Sequence, residues 1–145
     1  MKNEKHFEMA FDKIHTDVRA ALEKEGWVIT QDPYIVPSGG INFRIDLESE
    51  KVLAAEKEGE QIAVEVKSLI GASLVYAFYP AFGQYLFYRD ALKDEGIDQE
   101  VFMAISNISY FRIFRIPFLI RRIKQYNLKF IVVNTTEQKI VKWIK

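Results

Sequence analysis

The sequence predicts a mixed α/β domain in which a central sheet is flanked by helices, and three stretches carry that expectation. Gln61 to Ser68 alternates polar and apolar residues at strand spacing, just after a Glu58-Gly59 turn signal. Phe7, Phe11, Ile14, Val18, Ala21 and Leu22 recur at helical spacing and form one apolar stripe. Val101 to Ser106 reads as a buried strand. Strand and helix patterns alternate along the chain, as a layered α/β domain requires. The 145 residues suffice for one domain over 1–145 with its own core.

In order, the first helix runs from about Glu4 to Lys24, and Gly26 stops it. Trp27 to Thr30 is a short strand. Asp32-Pro33 and Pro37 to Gly40 punctuate a loop. Ile41 to Asp46 and Lys51 to Glu56 are strand patterns, the second joined to Gln61–Ser68 by the Glu58-Gly59 turn. Gly71 to Ser73 leads into a helix that continues to about Leu92. Its expected buried stripe is Val75, Phe78, Tyr79, Phe82, Tyr85 and Leu86, with Pro80 either in its first turns or breaking it. After Val101–Ser106, Ile116 to Tyr126 is a helix with Pro117 near its first position. Leu128 to Val133 and Lys139 to Ile144 are closing strands.

Composition narrows the class. A chain that is 49% hydrophobic and 14% aromatic folds around a core. No uncharged apolar run is long enough for a transmembrane helix, so no membrane partner is expected. Residues 1–11 are charged and lack a signal-peptide core, so a cytoplasmic protein is expected. Without cysteine there is neither a disulfide framework nor a cysteine zinc site. The net charge is zero but unevenly spread: residues 107–145 hold nine basic residues and one acidic, a net of +8. Zero overall charge argues against indiscriminate tight DNA binding. The basic third can meet nucleic acid, an acidic partner or the acidic part of its own fold.

The chemistry centres on Glu65 and Lys67. Two residues apart on a strand, they share a face with Ala63, while Ile62, Val64 and Val66 point the other way. A charged pair among core positions is costly unless it is paired or binds something; the competing reading is a half-wet surface salt pair of little energetic weight. A two-residue turn at Glu58-Gly59 pairs Lys57 with Glu60, Val52 with Glu65 and Glu50 with Lys67. Asp46 and Glu50 then have the parity to join Glu65's face, Asp46 from an apolar alternation and Glu50 from the polar run Glu48 to Glu50. Two carboxylates can hold Mg²⁺ or Mn²⁺, and a lysine beside them can orient a water or stabilise charge on a phosphate. That set suits phosphodiester hydrolysis.

Glu65-Val66-Lys67, with an acid upstream and a helix after it, resembles the acid-x-Lys element of the PD-(D/E)XK nuclease superfamily, which has the restriction-endonuclease-like fold. Asp46 is the best match to the superfamily's upstream acid and Glu50 the second; the 19 residues from Asp46 to Glu65 exceed the usual spacing. Gln84 and Tyr88 match the Gln-x-x-x-Tyr element on the following helix of RecB-like members, one turn apart on one face. The resemblance implies Asp46 and Glu65 as metal ligands and Lys67, Gln84 and Tyr88 as further catalytic-site residues. Beside it, Gln84 and Tyr88 also read as an ordinary helix-surface pair.

A narrower resemblance spans nearly the whole chain. Glu25-Gly26-Trp27, Thr30 to Pro33, Ile45-Asp46-Leu47, Ala54 to Lys57, Ala63 to Ser68, Gly83-Gln84 with Tyr88-Arg89, and Ile140 to Ile144 look, in that order, like the XisH family of fdxN-element excision controlling factors. It implies DNA, an XisI-type protein and a site-specific recombinase as partners in controlled DNA excision, and leaves room for a homo-oligomer. It does not decide between a nuclease and a non-catalytic regulatory factor that keeps the nuclease fold.

The remaining candidates are weaker. His15, beside the stripe of the first helix, reads as a packing or hydrogen-bonding residue. Asp32 reads as a turn residue before Pro33, and Ser38 to Gly40 as a loop lacking a full P-loop pattern. Arg112, Arg115, Arg121, Arg122 and Lys124 lie among Phe111, Phe114, Phe118 and Tyr126. Such interleaving suits nucleic acid or an acidic protein, and equally a solvated helix face over a core stripe.

Overall fold

A computed structural model describes residues 2–36 and 51–145, with side chains described from residues 13 and 52 onward in those two segments. Its elements are α1 (Lys2–Lys24), β1 (Val28–Gln31), β2 (Lys51–Lys57), β3 (Glu60–Val66), α2 (Leu74–Asp94), β4 (Glu100–Ser106), α3 (Asn107–Ile113), α4 (Pro117–Gln125), β5 (Phe130–Asn134) and β6 (Lys139–Ile144). The six strands form one sheet in sequence order, β1 to β6. The centre, β3–β4–β5, is parallel; β1–β2, β2–β3 and β5–β6 are antiparallel. Among the described residues this is a mixed six-stranded sheet with four helices, the mixed α/β class expected. The expected strand Ile41–Asp46, and with it Asp46 and Glu50, lies outside the described residues.

The central strands are the most apolar because both their faces are covered. Val101 to Ile105 of β4 and Phe130 to Val133 of β5 are all buried, the continuous run of a parallel strand between helical layers. On one face α1 contributes Ile14, Val18, Ala21 and Leu22 against Ile62, Val64, Val66, Phe102 and Ile131. On the other, α2 contributes Phe78, Ala81, Tyr85 and Tyr88, joined by Ile113 of α3 and Leu119 and Ile123 of α4, against Val52, Ala63, Val101 and Met103.

The β2–β3 hairpin fixes the register beneath the site. Glu58 and Gly59 have φ of +51° and +84°, the two positive values a type I′ turn needs. Lys57 pairs with Glu60 and Val52 with Glu65, as the turn chemistry predicts.

Two expectations change and one is resolved. The buried stripe of α2 is Leu74, Phe78, Ala81, Tyr85, Tyr88, Ala91 and Leu92, while Val75 and Tyr79, expected inside, are exposed. The helix is apolar on nearly every side, so periodicity alone does not select the inner face. Pro80 sits in the second turn of α2, the first of the two placements expected, and leaves the helix continuous; its Ser73 N-cap accepts from the Tyr76 amide at 3.3 Å. Finally, α3 is an added helix started by Ser106, whose hydroxyl accepts from the Ser109 amide at 3.0 Å.

Tyr85 ties α2 to the sheet. Its hydroxyl donates to the Val101 carbonyl at 2.8 Å and accepts from the Lys129 amide at 3.2 Å. Tyr85→Phe leaves both backbone groups short of a partner and should cost about 1–3 kcal/mol. A thermal melt should fall by several degrees; an unchanged melting temperature would mean these bonds contribute nothing net.

Candidate functional site

Alternation along β3 places Glu65 on the α2 side of the sheet. Its register partners are Val52 on β2 and Met103 on β4, both buried and apolar. Glu65 is fully buried. Among the described residues neither of its carboxylate oxygens accepts a hydrogen bond. Burial pushes its carboxyl well above the ordinary carboxylate range.

Lys67 follows on the same face, just past the end of β3. Its amide still donates to the Ala104 carbonyl of β4 at 3.0 Å, so the backbone continues the sheet edge that holds Glu65. Its side chain is 12% exposed and its Nζ lies 3.3 Å from Glu65 Oε1. That is ion-pair distance without hydrogen-bond alignment. Burial lowers the ammonium's pKa to about 7, so carboxyl and amine are both pushed toward their neutral forms. The half-wet surface pair expected as the alternative does not describe so enclosed a pair.

The helix across from β3 completes the cluster. Lys67 Nζ donates to Gln84 Oε1. One turn on, Tyr88 is buried in the same core as Val52 and Ala63, and its phenol is pushed up by burial and by the Glu65 charge. Gln84 and Tyr88 are therefore turned toward the sheet rather than forming a helix-surface pair. Glu65, Lys67, Gln84 and Tyr88 come together; Asp46 and Glu50 lie outside the described residues.

The donor set fits a divalent cation in one respect. A carboxylate with two oxygens and no donor, buried among apolar side chains, is an arrangement that a cation would satisfy. Among the described residues no three His, Asp or Glu side chains gather as a complete metal cage. Glu65 is the one described carboxylate at this position, and a cation held there would need a further acid.

His15 is elsewhere. It lies on α1, which covers the opposite face of the sheet, and its Nε2 is 2.7 Å from Asp32 Oδ2. Arg19 Nη1 donates to the same Asp32 oxygen at 2.8 Å. Asp32 is therefore a hub tying α1 to the segment after β1, a role its position before Pro33 conceals; only the spacing of His15 and Arg19 on one helix face hints at it.

On the exposed side of α3 and α4, which share the α2 layer, the basic third presents stacked pairs. The Arg115 guanidinium lies 3.9 Å from the Phe111 ring centre, and that of Arg122 lies 4.8 Å from Phe118. Phe111, Phe118, Arg112, Arg115 and Arg121 are exposed. Among the described residues none of Arg112, Arg115, Arg121 and Arg122 pairs with a carboxylate, whereas Lys129 bonds Glu100 at 2.9 Å.

A mixed sheet with an interior acid-x-Lys pair, facing an amide and a phenol on the next helix, defines an α/β protein with a polar site built into its core. Residues 9–141 match the family model described as XisH protein. Two solved structures share the fold: a fdxN element excision controlling factor protein from Anabaena variabilis, at 35% identity and a TM-score of 0.84, and an XisH family protein from Nostoc punctiforme PCC 73102, at 34% identity and 0.83. Each comparison covers 92% of this chain and 99% of the other. No curated protein sequence matches. The chain belongs to the XisH family. No helix among the described residues is long and apolar enough to cross a membrane.

Proposed function

We propose that this chain is a PD-(D/E)XK-type domain that acts on DNA in the controlled excision of a genetic element, with a metal-dependent site for phosphodiester hydrolysis. The observation that carries this reading is Glu65: fully buried, with no hydrogen-bond donor to either oxygen among the described residues, and beside Lys67. Such a group costs stability, and groups held at that cost cluster at functional sites. The solved relative described as a fdxN element excision controlling factor supplies the biological setting.

Glu65 and Asp46 would hold Mg²⁺ or Mn²⁺, with Glu50 the second candidate for the upstream acid. When bound there, such an ion would supply Lewis-acid polarisation of a phosphodiester. Lys67, which burial brings to a pKa of about 7 so that amine and ammonium are both present at physiological pH, would take a proton from a water or stabilise charge developing on a phosphate oxygen. Gln84 holds the amine through its carbonyl oxygen. Tyr88 packs against the apolar wall and keeps its phenol proton.

Calorimetric titration with Mn²⁺ and Mg²⁺, comparing the wild type with Glu65→Ala, tests the reading. Binding lost in the variant supports it, and no binding by the wild type overturns the metal site. A non-catalytic regulatory factor with the same fold is the second reading, favoured by the zero net charge. It requires an XisI-type partner or recombinase contact that survives Glu65→Ala.

Arg112, Arg115, Arg121 and Arg122, the second and fourth of them stacked on Phe111 and Phe118, are proposed as the surface for DNA phosphates. Replacing Arg112 and Arg121 with alanine should weaken binding across unrelated sequences and flatten the salt dependence by about one unit of slope for each phosphate no longer neutralised. If affinity for an acidic protein partner falls while DNA affinity holds, the surface serves protein instead. If neither changes, these arginines are a solvated face.

A further inference from the structure

We propose that the outer face of α2 is a homodimer interface, in which two copies pack α2 against α2 in antiparallel fashion across a two-fold axis at Gly83. The proposal is independent of any activity at the Glu65 site, because it uses the opposite face of the helix.

From Ser68 to Tyr88 the chain carries no charged residue. The inner face of α2 is already filled, by Phe78, Ala81, Tyr85 and Tyr88. Its outer face nonetheless presents Tyr76, Tyr79 and Phe87 at 84%, 80% and 60% exposure, with Val75 beside them. A helix apolar all round is ordinarily covered all round. The uncovered aromatic surface amounts to roughly 400–500 Å² per protomer, in the range of patches that mark an interaction site.

Gly83 is the second observation. Glycine inside a helix costs about 1 kcal/mol relative to alanine. A Cβ at this position would meet nothing within 4 Å, so packing within the chain does not require glycine here. Close approach of another backbone does.

The occupant follows from symmetry and charge. Tyr79 lies four residues before Gly83 and Phe87 four after. An antiparallel two-fold at Gly83 therefore sets Tyr79 of each copy against Phe87 of the other. It also sets Tyr76, seven residues before, against the copy's exposed Asp90, seven after, so that a phenol hydroxyl meets a carboxylate at the rim. The stretch from Tyr76 to Phe87 carries no cation to neutralise phosphates or an acidic protein, and its spacing is self-complementary. Its area is about half of the ~800 Å² per partner of a standard interface, which points to a dimer that dissociates on dilution.

Sedimentation equilibrium of the full chain from about 1 to about 200 µM should show the mass rising from 16.9 kDa toward twice that value. Phe87→Glu, at an exposed position, should keep the far-UV circular dichroism and remain monomeric. In this cysteine-free chain, Gly83→Cys should oxidise to a disulfide dimer far more readily than Thr136→Cys, because cross-linking needs Cα atoms within about 7 Å. A wild-type chain monomeric throughout, a dimer indifferent to Phe87→Glu, or equal cross-linking at positions 83 and 136 overturns the proposal.

Discussion

Lys67→Met should reduce metal-dependent DNA cleavage by about 10²–10⁴-fold while leaving the fold intact. The lysine is held between Glu65 and Gln84, but burial opposes its charge and brings its pKa to about 7. Its folded-state pKa lies below the ordinary 10.5. The folded chain therefore binds fewer protons than the unfolded one between those values, and stability falls as pH drops from 10.5 toward 7. Methionine removes that cost, so the variant should melt no lower than the wild type. Wild-type cleavage, in turn, should rise with pH through about 7 as the amine becomes free to accept a proton, and the variant should lack this rise. Full cleavage by the folded variant would remove Lys67 from the chemistry, and unfolding as the cause of lost activity would make its role structural.

The second large effect concerns Glu65→Gln, for which stability and binding should move in opposite directions. In chelator at neutral pH the variant should be more stable by about 1–3 kcal/mol, because a neutral amide replaces a buried carboxyl that has no donor among the described residues. The sign follows from the raised pKa. The unfolded carboxyl loses its proton near 4.5, whereas the folded one retains it to higher pH. The wild type is therefore fully favoured below 4.5 and loses stability as pH rises toward the raised value. The advantage of glutamine should grow across that window. Adding Mn²⁺ should then raise the melting temperature of the wild type but not of the variant, and the metal affinity of the wild type should rise with pH as the competing proton leaves. Equal metal-induced stabilisation of both proteins would exclude Glu65 as a ligand.

Much of the site's frame is legible in local turn chemistry. Glu58-Gly59 fixes the β2–β3 register, and the register sets Glu65 beside Val52. Period-two alternation likewise separates Glu65 from Ile62 and Val64 without reference to anything distant. What is not legible depends on tertiary choices. In α2, Phe78 and Tyr79 are adjacent aromatics that both suit a core, and packing against Val101 and Met103 decides that Phe78 turns inward. The short α3 is set by the Ser106 cap rather than by any long periodic run. Asp32 gains its role from His15 and Arg19, which are 17 and 13 residues away. The acid-x-Lys pair is readable as a motif, but its complete burial follows from helices the motif does not contain.

The edges of the sheet have a consequence for how the chain is completed during synthesis. Trp27, just before β1, lies 5.7 Å from Trp143 in β6, ring centre to ring centre, and Trp143 also meets Phe102 edge-on at 5.1 Å. The Trp143 indole donates to Glu25 at 3.4 Å. These are the chain's two tryptophans. Because β6 emerges from the ribosome after every other described element, the α1 side of the core stays unsealed until that strand docks. A nascent chain halted before it would expose Trp27 and Phe102 together, an adhesive surface of the kind that holdase chaperones bind. The tryptophan fluorescence of the protein should therefore respond to the docking of β6, which brings Trp143 against Trp27.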